Sequence, residues 1–155
     1  MELWELFARE HIRDTVSKYN AAGDRGDAAT VAGLFVPDGV LDEGTAGEVR
    51  GRAAIERFIG GVADDNTKVP GPRFFIHHHV SNVAITKLTP ERAEATSYFA
   101  VFTNEMLDHW GRYRDVLVPF DDAWRFERRR VTVDKALDGS LHAEFVRRLS
   151  QPDRT

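Results

Sequence analysis

The amino-acid sequence predicts an α+β fold, with helices in its first part and a mostly antiparallel sheet in its second. Apolar residues recur at helical spacing as far as Ile59, whereas from Phe74 onward they alternate with the period of two that is typical of strands. Helices that precede the strands, instead of alternating with them, indicate α+β rather than a parallel α/β sheet. The 155 residues are enough for one domain.

The first helix is predicted over residues 2–22. Its apolar side chains follow steps of four and three residues, which places them on one face of the helix. They are Ile12, Val16 and Tyr19. Gly23 is predicted to end this helix, because glycine is common just beyond a helical C-terminus. Asp24 is therefore expected at the exit of the helix.

Two further helices are predicted before the main strands begin. Asp27 is a suitable N-cap for a short second helix that runs to Phe35. The third helix opens at Gly51 and is predicted to close at the Gly60–Gly61 pair. The segment 62–72 is interpreted as a loop because it is rich in turn-forming residues.

Five strands are predicted in the second part of the chain, separated by Thr-Pro, Asp-His and Asp-Asp turns. They cover residues 74–80, 83–88, 93–103, 111–119 and 124–133. A weak helical pattern follows in Leu141, Phe145 and Leu149. The chain is accordingly divided into a domain at 1–134 and a tail at 135–155. We expect the tail to be partly helical or disordered, and to dock on the sheet or on a partner chain.

The composition excludes several classes of protein. Cysteine is absent, which excludes disulfides, thiolate metal sites and a cysteine nucleophile. The formal net charge of −4 argues against a dedicated nucleic-acid-binding domain. No apolar run approaches the ~18 residues of a membrane span, and the N-terminus does not resemble a signal peptide. We therefore expect neither nucleic acid nor membrane as a partner, and a cytoplasmic location.

Three consecutive histidines, residues 77–79, lie at the start of the predicted strands. Successive side chains of a strand point to opposite faces, so His78 lies on one face while His77 and His79 lie on the other. The residues that share the face of His78 are apolar: Phe74, Ile76 and Val80. His78 is therefore predicted to point into the core or into a cavity within it. No metal site is expected, since the sequence specifies no third ligand beside His77 and His79.

Two tyrosines and two aspartates are the other candidates for chemistry. Tyr19 lies on the apolar face of the first helix, five residues before Asp24. Tyr113 and Asp115 share the inward face of a later strand. Burying a charge costs several kcal/mol unless the charge is paired, so Asp115 requires either a function or a partner such as Arg129.

Six segments in consecutive order resemble the SnoaL-like domains of the NTF2-like superfamily. They are residues 18–27 (KYNAAGDRGD), 34–39 (LFVPDG), 51–55 (GRAAI), 78–82 (HHVSN), 111–115 (GRYRD) and 124–131 (WRFERRRV). The resemblance extends over about residues 8–134. It implies an NTF2-like cone, in which a curved antiparallel sheet wraps against the three helices and encloses an apolar pocket.

The resemblance also implies roles for individual residues. In the branches that resemble scytalone dehydratase, lindane dehydrochlorinase and the bile-acid dehydratase, the catalytic aspartate corresponds to Asp24 and the catalytic histidine to His78. The pocket tyrosine of the bile-acid enzyme corresponds to Tyr19, and a pocket asparagine of scytalone dehydratase falls near Asp115. In the ketosteroid isomerase branch Tyr19 would hold the oxyanion, and Glu43 would be the alternative base.

These residues favour proton abstraction without a cofactor by an Asp24–His78 dyad, from a carbon next to a carbonyl or to a leaving group. Tyr19 or Tyr113 would donate a hydrogen bond to the developing oxyanion, and Asp115 would carry a proton to the departing hydroxyl. The expected ligand is an apolar cyclic compound, such as a polyketide, a steroid or an aromatic metabolite.

The walls of the pocket are expected to be apolar. The residues predicted to form them are Phe58, Phe74, Ile76, Val80, Leu117 and Trp124. Two other functions stay open: a non-catalytic small-molecule-binding domain, and a structural subunit resembling the β-subunit of ring-hydroxylating dioxygenases. No cofactor is expected. The outer face of the curved sheet favours self-association as a homodimer or trimer.

Overall fold

The computed structural model describes residues 1–67 and 75–150, with the side chains of these residues except those of 65–67. The helices in this part of the chain are α1 (Leu3–Asp24), α2 (Ala28–Gly33), α3 (Arg52–Thr67) and α4 (Leu141–Leu149). None of these four helices is long and apolar enough to cross a membrane. The predicted wall residue Phe74 lies outside the described residues.

The strands of the described residues form one six-stranded sheet. They are β1 (Phe35–Asp42), β2 (Glu48–Arg50), β3 (Ile76–Leu88), β4 (Ala93–Thr103), β5 (Leu107–Phe120) and β6 (Ala123–Ala136). Their spatial order is β2-β1-β6-β5-β4-β3, and β1 and β6 are the parallel pair in an otherwise antiparallel sheet. The sheet is curved and unclosed, and α1 packs on it, which confirms the predicted fold class.

Helix α1 packs on the sheet through the apolar face predicted for it. Ile12 and Val16 are buried, and Tyr19 is 8% exposed. Between these positions the Thr15 hydroxyl donates to the main-chain carbonyl of Trp124 on β6, at 2.7 Å. The helix is thereby held against the sheet along its length, and its C-terminal end meets β3.

Several predicted boundaries are wrong. Helix α2 ends at Gly33, and Phe35, its predicted end, begins β1. Two larger departures have their reasons in tertiary packing. Helix α3 continues through Gly60 and Gly61 to Thr67, because it packs against α2 and this contact offsets the low helix propensity of glycine. Strand β3 is continuous where two strands were predicted. Asn82 takes a φ of 53° within an irregularity of the β3–β4 ladder, which bends the strand without ending it.

The C-terminal tail extends β6 and then returns to the sheet as α4. Ser140 caps this helix by accepting the N–H of Ala143 at 3.0 Å. Asp108 of β5 accepts the N–H groups of Leu141 and His142, at 2.7 and 3.2 Å. These bonds occupy N–H groups that the first turn of a helix leaves unpaired, and they tie α4 to the sheet.

Candidate active site

Asp24 and His78 form a hydrogen-bonded pair between the end of α1 and the start of β3. Asp24 Oδ1 lies 2.6 Å from His78 Nδ1. The main-chain N–H of His78 also donates to both carboxylate oxygens, at 3.1 and 3.2 Å. Because an ionised carboxylate only accepts hydrogen bonds, Nδ1 carries the ring proton and Nε2 is left as the basic nitrogen. The aspartate thus fixes both the tautomer and the orientation of the imidazole.

The local structure of the two elements explains this pairing. Helix α1 runs two residues beyond its predicted end, so that Asp24 leaves from the last helical turn. His78 is partly buried, as are Ile76 and Val80 on the same face of β3, whereas His77 and His79 are exposed. The alternation predicted for the histidine triplet is therefore confirmed.

A cavity of about 230 Å³ lies beside His78. Its walls come from the four helices and the inner face of the sheet. Most of the lining side chains are apolar, among them Val31, Phe58, Ile59, Val62, Ile76, Phe99, Val101, Val131, Val133 and Phe145. An apolar cavity with a few convergent polar groups is typical of a small-molecule site.

The structure brings some of the predicted wall residues to the cavity and leaves others in the core. Phe58 and Ile76 line the cavity. Val80, Leu117 and Trp124 instead pack in the hydrophobic core outside the lining, where Leu117 is fully buried. Strand alternation predicts the face on which a side chain lies, but not how far along the strand the cavity extends.

Tyr19 and Tyr113 line the cavity on either side of a buried guanidinium. Arg129 Cζ lies 4.2 Å from the ring centroid of Tyr19 and 4.1 Å from that of Tyr113. Burial raises the pKa of both phenols, and the positive charge of Arg129 offsets this only in part. Both hydroxyls therefore remain protonated donors at neutral pH. Since the Tyr113 hydroxyl already donates to Asn20 Oδ1 at 3.2 Å, Tyr19 is the better placed to donate to a ligand.

Asp115 lies in a buried ion pair and not in the cavity lining. Arg129 Nε donates to its Oδ1 at 2.8 Å, and Arg129 Nη2 donates to its Oδ2 at 2.7 Å. The two side chains are 1% and 0% exposed. Asp115 and Arg129 face each other directly across β5 and β6, which accounts for the two parallel bonds. The structure thus gives Asp115 the partner that the sequence suggested, and does not bring it to a departing hydroxyl.

Glu43, the alternative base, does line the cavity. Burial raises the pKa of its carboxyl from 4.5 to about 7, an effect that Arg129 partly offsets and that Asp42 reinforces. Near neutral pH this carboxyl is therefore divided between its neutral and ionised forms. A group in that condition is suited to general acid–base chemistry.

Five further polar residues in the lining were missed by the sequence analysis: Asp108, His109, His142, Glu144 and Arg148. The first two were assigned to an Asp-His turn, whereas β5 begins at Leu107 and includes them. The alternation of strand residues could have indicated His109. If the predicted strand is extended back by two residues from Gly111, His109 lies on the same inward face as Tyr113. In the described part of the chain, no group of three or more histidine, aspartate or glutamate side chains is arranged to hold a metal ion.

The model of the SnoaL-like domain family matches residues 4–130 of this chain. The match spans most of the sequence, and the fold around it is the NTF2-like or cystatin-like fold. The chain therefore belongs to the SnoaL-like family, as the six sequence segments predicted.

Solved structures share this fold over most of the chain. A putative scytalone dehydratase from Novosphingobium aromaticivorans is 22% identical, with a TM-score of 0.74 over 89% of this chain and 91% of the other. An NTF2-like protein with a cystatin-like fold from the same organism is 24% identical, with a TM-score of 0.70 over 91% and 89% of the two chains. At these identities the likeness concerns the fold.

A curated relative matches over a shorter region. The steroid Delta-isomerase of Nocardioides simplex is 40% identical over 53 residues, which are 34% of this chain and 43% of that protein. The match thus spans less than half the length of the isomerase.

Proposed function

We propose that this protein is a cofactor-independent lyase or isomerase that removes a proton from an apolar cyclic substrate, such as a polyketide, a steroid or an aromatic ketone. The observation that carries the proposal is the 2.6 Å bond between Asp24 and His78 beside an apolar cavity. An imidazole titrates near neutral pH, and a carboxylate on Nδ1 raises the basicity of Nε2. His78 is the proposed base and Asp24 its positioning residue.

Tyr19 completes the proposed chemistry. When a proton leaves the carbon next to a carbonyl, negative charge develops on the carbonyl oxygen, and a donor in a dry cavity stabilises it more than water would. Tyr19 lines the same cavity as His78 and stays protonated at neutral pH. The apolar walls favour a substrate that offers few polar atoms beyond the reacting carbonyl.

Glu43 is the base in a second version of this function, an isomerisation of the ketosteroid type. Its raised pKa and its position in the cavity wall favour this version, as does the partial match to a steroid isomerase. The two versions use the same cavity and the same tyrosine. They differ in which group takes the proton.

The test compares His78→Gln and Glu43→Gln with the wild type. The probes are β-hydroxypropiophenone, which loses water, and a β,γ-unsaturated ketosteroid, which isomerises. We expect His78→Gln to lower kcat/KM for dehydration by about 10³-fold, since a positioned base contributes roughly 10²–10⁴-fold. Loss of isomerisation in Glu43→Gln alone would favour the second version.

His79→Gln is the matched control, because His79 is the exposed neighbour of His78 on the opposite face of β3. Its rates should stay within about twofold of the wild type. If His78→Gln and Glu43→Gln both keep the wild-type rates, the proposed function is refuted. A wild-type protein that accelerates neither reaction would instead favour a non-catalytic binding domain.

A further inference from the structure

A second aspartate–histidine pair lies in the lining of the cavity that His78 also lines. Asp108 Oδ2 lies 2.8 Å from His109 Nδ1, and both residues are in the cavity lining. Asp108 is 2% exposed, and the side chain of His109 is 16% exposed. As in the first pair, a carboxylate on Nδ1 leaves Nε2 as the nitrogen that exchanges a proton.

The register of the sheet places the two histidines in one row. His78 of β3 is paired with Val101 of β4, and Val101 is paired with His109 of β5. Directly paired residues of antiparallel strands have their side chains on the same face. The two Cα atoms are therefore about 10 Å apart, twice the ~4.8 Å spacing between neighbouring strands.

The ring of Phe99 lies near both histidines. Its centroid lies 6.5 Å from that of His78 and 5.8 Å from that of His109. Both imidazoles thus flank one aromatic side chain of the cavity wall. Both histidines therefore lie in the part of the cavity lining that surrounds Phe99.

Helix α4 forms part of the surroundings of the second pair. Burial raises the pKa of Asp108, but the hydrogen bonds from His109 and from the N–H groups at the start of α4 outweigh this, and its pKa is lowered. The His142 ring stacks on His109, with centroids 4.7 Å apart. Burial lowers the pKa of His142 and the neighbouring His109 lowers it further. The carboxylate therefore faces His109, whose ring neighbour His142 is neutral.

We propose that His109 is a second catalytic residue, the general acid that protonates the group leaving the substrate while His78 takes the proton from carbon. This inference rests on the proposed function, which it deepens. It assigns to the cavity an elimination of water, from a compound that carries a hydroxyl one carbon beyond the acidic C–H.

The atoms and charges of this step balance within the cavity. His78 Nε2 takes the proton from the carbon next to the carbonyl, and the electron pair of that C–H bond forms the new double bond. The bond between the neighbouring carbon and its hydroxyl breaks, and His109 Nε2–H supplies the proton that makes the departing group water. His78 ends as the imidazolium and His109 as the neutral ring, and exchange with solvent restores both.

Asp108 is the positioning residue of this pair, and it also joins α4 to the site. Its two oxygens accept from the His109 ring and from the N–H groups of Leu141 and His142. The same carboxylate thus orients the proposed acid and holds the helix that covers it. The position of α4 and the orientation of the His109 ring therefore depend on the same side chain.

The test compares two leaving groups on the same carbon skeleton. β-Hydroxypropiophenone and β-chloropropiophenone both eliminate to phenyl vinyl ketone, but chloride leaves without a proton. The measured quantity is the ratio of kcat/KM for the hydroxyl compound to that for the chloro compound. We expect His109→Gln to lower this ratio by about 10²-fold or more, because general acid assistance contributes roughly 10²–10⁴-fold.

Other variants make the result decisive. His78→Gln should lower both rates together, because both eliminations need the base, and His79→Gln should change neither. Asp108→Asn should lower the ratio in the same direction as His109→Gln, and it serves if His109→Gln does not fold. Rates for the chloro compound report whether His109→Gln and Asp108→Asn retain a folded cavity.

The outcomes separate the two proposals. An unchanged ratio in both His109→Gln and Asp108→Asn, with both rates lost in His78→Gln, would overturn the second catalytic residue and leave the first in place. An equal loss on both compounds in His109→Gln would also overturn it, since His109 would then act through structure. Wild-type rates in His78→Gln alone would overturn the second catalytic residue, which acts together with that base. Wild-type rates in both His78→Gln and Glu43→Gln, or a wild-type protein that accelerates neither elimination nor isomerisation, would overturn both proposals.

Discussion

At the scale of the residue, Glu43 shows how burial changes the chemistry of one carboxyl. Its pKa is raised from 4.5 to about 7, chiefly by burial. A carboxyl with a raised pKa binds a proton more tightly in the folded chain than in the unfolded chain. Its contribution to stability is therefore fully present below about pH 4.5 and is lost as the pH rises through 7.

We predict that Glu43→Gln stabilises the protein at pH 8 relative to the wild type, because the amide cannot ionise in the cavity wall. The gain in the free energy of unfolding should be on the order of 2 kcal/mol at pH 8 and should vanish near pH 4.5. Urea unfolding at several pH values measures it. A difference between the two proteins that does not depend on pH would contradict the assigned shift.

At the scale of the element, β5 and β6 carry two ion pairs, of which one is buried and the other is exposed to solvent. Asp115 and Arg129 are buried on the inner face. Arg112 and Asp134 form a pair on the outer face, with 43% and 38% of their side chains exposed. Water and salt screen the outer pair, whereas removing one partner of the inner pair leaves an uncompensated charge in the core.

We therefore expect Asp115→Asn to lower the free energy of unfolding by about 3–5 kcal/mol, and its matched control Asp134→Asn by about 1 kcal/mol at most. Replacing both inner partners with apolar residues, as in Asp115→Leu with Arg129→Met, should cost less than Asp115→Asn alone. Urea unfolding at neutral pH measures all three variants. Equal losses in the free energy of unfolding for the inner and the outer pair would contradict the larger cost expected for the buried pair.

At the scale of the whole molecule, the outer face of β3 and β4 is the surface on which we expect self-association. Phe75, Tyr98 and Phe102 are 44%, 53% and 38% exposed on this side of the chain, and β3 is an edge strand of the sheet. Large apolar side chains grouped on a surface are typical of an interface. This arrangement favours a homodimer.

The expected result for the wild type in light scattering is a dimer, and for Phe102→Glu a monomer, since a charge in the middle of the patch would be buried without a partner. Leu6→Glu is the control, because Leu6 is a comparably exposed apolar residue on α1, away from the patch. A wild-type monomer, or a Phe102→Glu dimer, would contradict an interface on this face.

Several features of the site follow from residue spacing. The period of two in β3 placed His78 on the inner face, and the stripe of α1 placed Tyr19 in the core beside Asp24. The spacing of Tyr113 and Asp115 predicted that both would be buried. Periodicity predicts these properties because the face on which a side chain lies depends only on the local geometry of its own element.

The same reasoning failed where the outcome depended on distant parts of the chain. Leu117 and Trp124 lie on the expected inner surface but contact the core instead of the cavity. His109 was assigned to a turn because the start of β5 is decided by its pairing with β4. His142 reaches the cavity because α4 docks on Asp108, 34 positions away in sequence.

Local periodicity and motifs that are continuous in the chain were sufficient to predict the helices, the long strands, the family and the inward direction of His78. They did not predict β1 and β2, which lie between α2 and α3 and depend on pairing with each other and with β6. The fold brings together two pairs that the sequence analysis suggested, and it alone revealed a third. Asp24 binds His78, which lies 54 residues further along the chain, and Asp115 forms an ion pair with Arg129. Asp108 binds both His109 and the start of α4. A charged side chain is stable in the core only beside a partner of opposite charge. The fold, and not the spacing along the chain, brings such partners together.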